Sequence, residues 1–274
     1  LPHNRHRKWI VHIILILGAF IMVTPFLWMI STSFKSFAES MQVPPTIFPN
    51  EFQLDNYARV FQQFDFLQYF MNTLIVTVGR TVGQLILCSM AAYAFARLYF
   101  PFKNVIFVAI LSVLMVPSQI VMIPTFVIMR EFGWIDTFAA LIVPGIFSAF
   151  GVFLLRQFFM AIPRELDEAA KIDGCSYPGI FWRIILPLSR PALVALAIFT
   201  VLASWNDFLW PLIVTSSDSM RVLSIGIANF QGQYATEYPL LMAGALLATL
   251  PMILIFVFLQ RYFIAGIALS GLKG

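Results

Sequence analysis

The sequence predicts an all-α integral membrane protein with six transmembrane helices, and three observations carry that prediction. The 274 residues are 60% hydrophobic and 11% charged, with a mean hydropathy of +0.87, far from the ~45–50% apolar and ~25% charged balance of a soluble domain. Apolar runs able to cross ~30 Å of hydrocarbon, which takes about 20 residues each, occur at Trp9 to Ile30, Asn72 to Ala96, Val105 to Met129, Phe138 to Leu155, Ala192 to Val214 and Leu240 to Leu259. Lysine and arginine, finally, are divided unevenly among the segments between these runs.

That division sets an orientation, because basic residues accumulate on the cytoplasmic side. Arg5, Arg7 and Lys8 precede the first run, Arg97 and Lys103 lie between the second and third, and Arg261 and Lys273 follow the last. Arg156, Arg164, Lys171, Arg183 and Arg190 fall between the fourth and fifth. The alternate connections hold only Lys35, Arg59, Arg130 and Arg221. Both termini and the loop 156–190 are therefore expected in the cytoplasm.

Taken in order, residues 1–8 form a short basic cytoplasmic segment, and the run 9–30 is far longer than the ~7–15 residues of a secretory signal core, so it reads as a retained helix. His3 and His6 lack a His-Glu-x-x-His pattern and are accounted for by a basic membrane-flanking tail, so no metal site is predicted. The segment 31–71 carries Pro44, Pro45, Pro49 and Asn50, then a helical pattern of Tyr57, Phe61, Phe64 and Phe66, and is expected to lie along the outer membrane face. Residues 72–262 form the core of the membrane domain. Within it, Pro117, Pro124, Pro144 and Pro251 predict kinks, as flexible gates or as static packing. Gly79-x-x-x-Gly83 permits close helix contact. Cys88 and Cys175 are expected to be packed, reduced thiols.

Polar side chains inside the runs are few, which singles out Arg80, Gln84, Gln119, Asn206 and Asp207. Ionisable groups at membrane depth face a cavity or a partner. One reading has these five lining an aqueous path for a hydroxyl-rich solute. The other has Arg80 snorkelling or capping a neighbouring helix, with Asp207 at the interface.

The most informative segment is the loop 156–190, with Glu168-Ala169-Ala170, then Gly174, then Ile184-x-Leu186-Pro187. Pro163 followed by Glu165, Asp167 and Glu168 predicts a helix opening with proline in its first turn and with acids where the dipole favours them. Gly174 closes it, and Ser176 caps a second short helix bearing Ile180, Phe181, Ile184 and Ile185 that stops before Pro187. Ala169 and Ala170 are small enough to enter a partner's groove, with Arg164 and Lys171 at its rim. An amphipathic helix lying on the bilayer is the alternative.

At these positions the chain resembles the permeases of binding-protein-dependent ABC importers. Further stretches are similar to the MalG-type branch that serves carbohydrates: Pro25 to Met29 with Ser33-Phe34-Lys35, Ala91 to Arg97, Trp205 to Leu212, and the tail from Phe263 to Gly274. The resemblance covers nearly the whole chain and implies a type I ABC importer permease fold in a prokaryotic inner membrane. It implies that the loop is a coupling helix entering a cleft of an ATPase, through Glu168, Ala169, Ala170, Asp173, Gly174, Ile184, Leu186 and Pro187. It also implies a second permease, two ATPase subunits and a solute-binding protein as partners. By the same resemblance the segment Ser216 to Pro239, with Gln231, Gln233 and Tyr234, meets the binding protein, and the tail 263–274 reaches the ATPase interface. A di- or oligosaccharide is the implied cargo, with a polyol or glycerol phosphate as the alternative.

The residues present fit that division of labour. Gly266 to Gly271 followed by Leu272-Lys273 is not a phosphate-binding loop, because the lysine does not directly follow the glycine. ATP and Mg are thus expected on the partner ATPases, with no cofactor and no catalytic residue on this chain. No nucleic-acid partner is expected. An ion-coupled carrier would need several buried acids, and only Asp207 comes near.

Overall fold

The apolar runs are realised in two ways in the computed structural model, which describes residues 3–232 and 235–271. Three are continuous helices long enough to cross a bilayer: Trp9–Ser33, Phe66–Arg97 and Tyr238–Phe258, which is the first 21 residues of a helix that runs to Gly271. Three are helix pairs bent at a short break. Lys103–Met115 meets Ser118–Glu131 at 104°, Phe138–Gly145 meets Ala149–Ala161 at 41°, and Tyr177–Leu188 meets Arg190–Trp205 at 77°. We refer to these in chain order as the first to sixth spans, counting the fifth from Arg190 because Tyr177–Leu188 belongs to the loop before it. Short helices occupy several of the connections, and among the described residues the extended pairing is an isolated antiparallel bridge between Gln231 and Thr236.

Each break sits where the sequence removes a backbone donor or supplies a cap. Pro117 drives Val116 out of the helical region to φ −90°, ψ 121°. Pro144 lies in a 3-10 turn, and Ser148 restarts the fourth span by accepting a hydrogen bond from the Gly151 amide at 2.9 Å. The fifth span resumes at Arg190 with Pro191 in its first turn, where a missing N–H costs nothing.

Several expected boundaries move. The second span begins at Phe66, before Asn72, whose side-chain amide is accommodated within the helix by the carbonyls of Ser219 and Arg221, each at 2.8 Å. The fifth span ends at Trp205 instead of Val214: the chain turns through Asn206–Phe208 and starts a separate helix, Leu209–Val214. The helix after Ser176 runs through Pro187 to Leu188, since a π turn at Phe181–Ile185 shifts the carbonyl ladder ahead of the proline. Pro163 lies just outside its helix, Glu165–Ile172, with Arg164 as N-cap.

The chain forms two compact units. One comprises Leu1–Leu67 and Gly226–Pro251. In it, the short helix Asp55–Gln63 is tied to the end of the first span: Asn56 donates to the carbonyls of Ser33 and Lys35 at 2.9 Å, and the Ser33 and Tyr57 hydroxyls pair at 2.8 Å. The buried Lys35 ammonium bonds the Thr46 carbonyl and sits over the Trp28 ring. The rest of the first span is exposed along its length.

The other unit, Gln68–Ile225 with Met252–Gly274, holds two buried clusters. Tyr93, Phe95, Leu155, Phe159, Ile180 and Ile185 anchor one, joining the second, fourth and fifth spans to the loop helices. Val76, Met129, Leu141, Trp210, Val214 and Ile225 anchor the other. The second and fourth spans approach closely because Gly79 and Gly83 face Ile142 and Ile146: a Cβ at Gly83 would lie 2.6 Å from the Ile146 side chain.

Candidate functional site

The loop 156–190 folds into a surface knob of two short helices, Glu165–Ile172 and Tyr177–Leu188. Glu165, Asp167 and Glu168 occupy the first turn, complementing the helix dipole, and Lys171 occupies the last. Gly174 closes the helix at φ +78°, a conformation that costs other residues steric strain, and the Cys175 amide returns to the Ala170 carbonyl at 2.8 Å. Lys171 Nζ stands 4.8 Å from the centre of the Tyr177 ring, linking the helices. Ser176 takes extended N-cap geometry but its hydroxyl makes no capping hydrogen bond.

The knob has an outward and an inward face. Glu168, Ala169, Asp173, Gly174 and Pro187 are exposed. Ala170 is buried in the hydrophobic cluster, and Ile184 and Leu186 pack against it, so these three are structural anchors within this chain. Ala170 was expected to enter a partner's groove, but helical spacing turns it away from its exposed neighbour Ala169. The inward face carries a charge that sequence reasoning missed: Asp167 is buried, with Oδ2 3.5 Å from Nε of Arg97 at the end of the second span. Arg97 also donates to the Ile162 carbonyl at 2.7 Å.

A second polar assembly surrounds the break in the fourth span. Pro144 cannot donate to the carbonyl of Ala140, and Trp210 Nε1 does so instead at 2.9 Å. Arg80 Nε donates to the Leu141 carbonyl at 2.7 Å, and Gln84 Nε2 donates to that of Gly145 at 2.9 Å. Gln84 Oε1 accepts from the hydroxyls of Ser148 and Thr200. Cys88, a free thiol like Cys175, contacts the Ser148 backbone. Arg80 Nη1 then pairs with Asp207 Oδ2 at 2.7 Å. A Cβ at Gly145 would come within 2.7 Å of Arg80, so that close approach requires glycine. Of the five polar residues expected in a solute path, Arg80, Gln84 and Asp207 thus meet at the break. Gln119 and Asn206 stand apart and exposed, Asn206 bonded to the Leu202 carbonyl of its own helix.

Away from the spans, Asp136 (φ +61°) holds the turn into the fourth span and accepts from the amides of Ser216 and Ser217 at 2.9 and 3.1 Å. Burial pushes its carboxyl up, but these hydrogen bonds outweigh burial and hold it below the usual carboxylate range. Gln231 pairs with Thr236, whereas Gln233, Tyr234 and the tail residues 272–274 lie outside the described residues, as do the side chains of His3 and His6.

Comparison with known proteins agrees with this architecture. Residues 84–268 match the family described as the binding-protein-dependent transport system inner membrane component. The chain is 39% identical to the arabinooligosaccharides transport system permease protein AraQ of Halalkalibacterium halodurans, over 97% of each chain. It is 34% identical to the lactose transport system permease protein LacG of Rhizobium radiobacter, over 92% of each. Among solved structures, a chain of a bacterial ABC transporter involved in the import of the acidic polysaccharide alginate superposes with a TM-score of 0.82 at 22% identity, covering 96% of this chain and 98% of that one. The chain belongs to the family of inner-membrane permease components of binding-protein-dependent ABC transport systems.

Proposed function

We propose that this permease forms half of the translocation pathway of an ATP-driven carbohydrate importer and that the knob couples it to ATP hydrolysis on another chain. The supporting observation is the split of the knob into an inward face, built into the bundle, and an outward face of Glu168, Ala169, Asp173 and Gly174. Ala169 and Gly174 present little bulk, and Glu168 and Asp173 supply acidic contacts beside the exposed Arg164 and Lys171, a mixed polar face that suits a groove in a soluble subunit. With the excess of Lys and Arg on the segments of that side, the knob and both termini belong in the cytoplasm.

The partners are then a second permease, two ATPases that bind ATP and Mg, and a solute-binding protein met by the segment that includes Gln231, Gln233 and Tyr234. A di- or oligosaccharide is the cargo, supported by relatives named for arabinooligosaccharides and lactose. Affinity purification from the native membrane in mild detergent, with mass spectrometry, tests the assembly. Recovery of an ATPase and a second permease is expected; a stable complex without an ATPase would return the knob to a membrane-surface role.

A further inference from the structure

The second span meets both halves of the machinery, and its grip on each is made by named side chains. At the knob end, Arg97 reaches Asp167 on the first loop helix and the Ile162 carbonyl at its root. One turn earlier, the Tyr93 hydroxyl donates to the Tyr177 carbonyl at 3.1 Å and its ring lies 5.1 Å from that of Phe181, both on the second loop helix. Near the middle of the same helix, Arg80 and Gln84 hold the broken fourth span. One continuous helix, Phe66–Arg97, therefore joins the knob to the break.

The Arg97 contact is unlike the others in its satisfaction. Its side chain and that of Asp167 are 3% and 12% exposed, yet the closest approach is 3.5 Å, outside the 2.7–3.2 Å of a formed N–H···O bond. Asp167 Oδ1 and Arg97 Nε make no hydrogen bond. A buried pair of charges cannot separate without a large desolvation cost, but one held by attraction and not by an aligned bond permits tilting. It resists separation while allowing rotation.

We infer that Arg97 and Asp167 are positioning residues that link tilting of the knob to movement of the second span, with Tyr93 as the second point of grip. The second span then carries the displacement to the break in the fourth span. This inference rests on the reading that the knob docks an ATPase, and it assigns the link on the permease side of that contact.

The test uses the complete transporter, reconstituted in proteoliposomes with its ATPases and binding protein, and reads solute taken up per ATP hydrolysed. Arg97→Gln and Asp167→Asn are each expected to retain the ATPase through purification while lowering uptake per ATP by roughly tenfold, within the 5–150-fold range of site-to-site coupling. The double variant is expected to be no worse than either single one, and Arg97→Lys to restore part of the loss. Tyr93→Phe keeps the ring and deletes only the hydroxyl, so it reports even where a charge variant fails to assemble; a severalfold lower ratio is expected. Wild-type ratios in assembled Arg97→Gln and in Tyr93→Phe would overturn the link, as would losses in the double variant that multiply. Glu168→Lys separates the two readings: if it uncouples while the Arg97 and Tyr93 variants transport normally, docking stands and the link fails. If Glu168→Lys also transports normally, the docking reading fails with it.

Discussion

Arg80 and Arg97 lie on the same helix about 25 Å apart at 1.5 Å per residue, and each faces an aspartate, but the two pairs are built for different ends. Arg80 meets Asp207 at 2.7 Å while also donating to the Leu141 carbonyl, within a net completed by Gln84 and Trp210. Arg97 meets Asp167 at 3.5 Å and leaves a carboxylate oxygen unbonded. The first pair belongs to a net of formed hydrogen bonds around a helix that proline has opened. The second ties a knob to a span without an aligned bond between its two charges, beside the Arg97 bond to the Ile162 carbonyl. Burial of an Arg–Asp pair therefore does not by itself indicate stability or function, since the surrounding hydrogen bonds decide which it serves.

The largest effect that would break this contrast is expected at the break in the fourth span. Arg80→Met leaves the Leu141 carbonyl and the Asp207 carboxylate without their donor, a loss of about 3–5 kcal/mol for a broken buried pair, read as a lower thermal midpoint and poor yield in detergent. Arg80→Met combined with Asp207→Leu is expected to recover part of it. If the single variant is as stable as wild type, the net at the break is dispensable.

A matched pair of glycine substitutions sharpens the comparison. Gly83→Ala would press against the Ile146 side chain at 2.6 Å, and overpacking of this kind costs about 1–3 kcal/mol. Gly174→Ala meets nothing within 4 Å and bears only the strain of a positive φ, about 1–2 kcal/mol. Thermal midpoints should fall further for Gly83→Ala, whereas uptake per ATP should fall further for Gly174→Ala. The reverse order would mean that the close helix contact tolerates shifts and that the loop turn does not set coupling.

The smallest effect belongs to Asp136. Its folded-state carboxyl titrates below its unfolded value, so the stability it contributes is present above the ordinary carboxylate value of about 4 and fades as pH falls through the lowered one. The gap in thermal midpoint between wild type and Asp136→Ala should be constant near neutrality and shrink in strong acid. A gap that persists unchanged in acid would assign the turn to packing.

The sequence displayed the apolar runs because each is long and predominantly apolar, and the knob because its glycine and acids have positional meaning at helix ends. It did not display how the runs break. Pro144 announces a lost donor, but the replacements come from Trp210, Arg80 and Gln84 on other helices, and composition carries no information about which helix lies opposite. The end of the fifth span was misplaced for a related reason: Trp205 to Val214 averages as apolar, although Asp207 needs a turn there to reach Arg80. Ala170 illustrates the remaining gap. As one of two adjacent alanines it is chemically identical to Ala169, and only the register of a helix against the bundle decides that one is buried and the other exposed.

The most direct measurement is uptake and ATP hydrolysis by the reconstituted transporter carrying Glu168→Lys, at permease abundance matched to wild type. Hydrolysis that continues while uptake collapses is the expected result, because the acid is exposed on the face proposed to dock the ATPase and not in the core. Wild-type uptake at equal abundance would contradict the assignment of the knob to energy coupling.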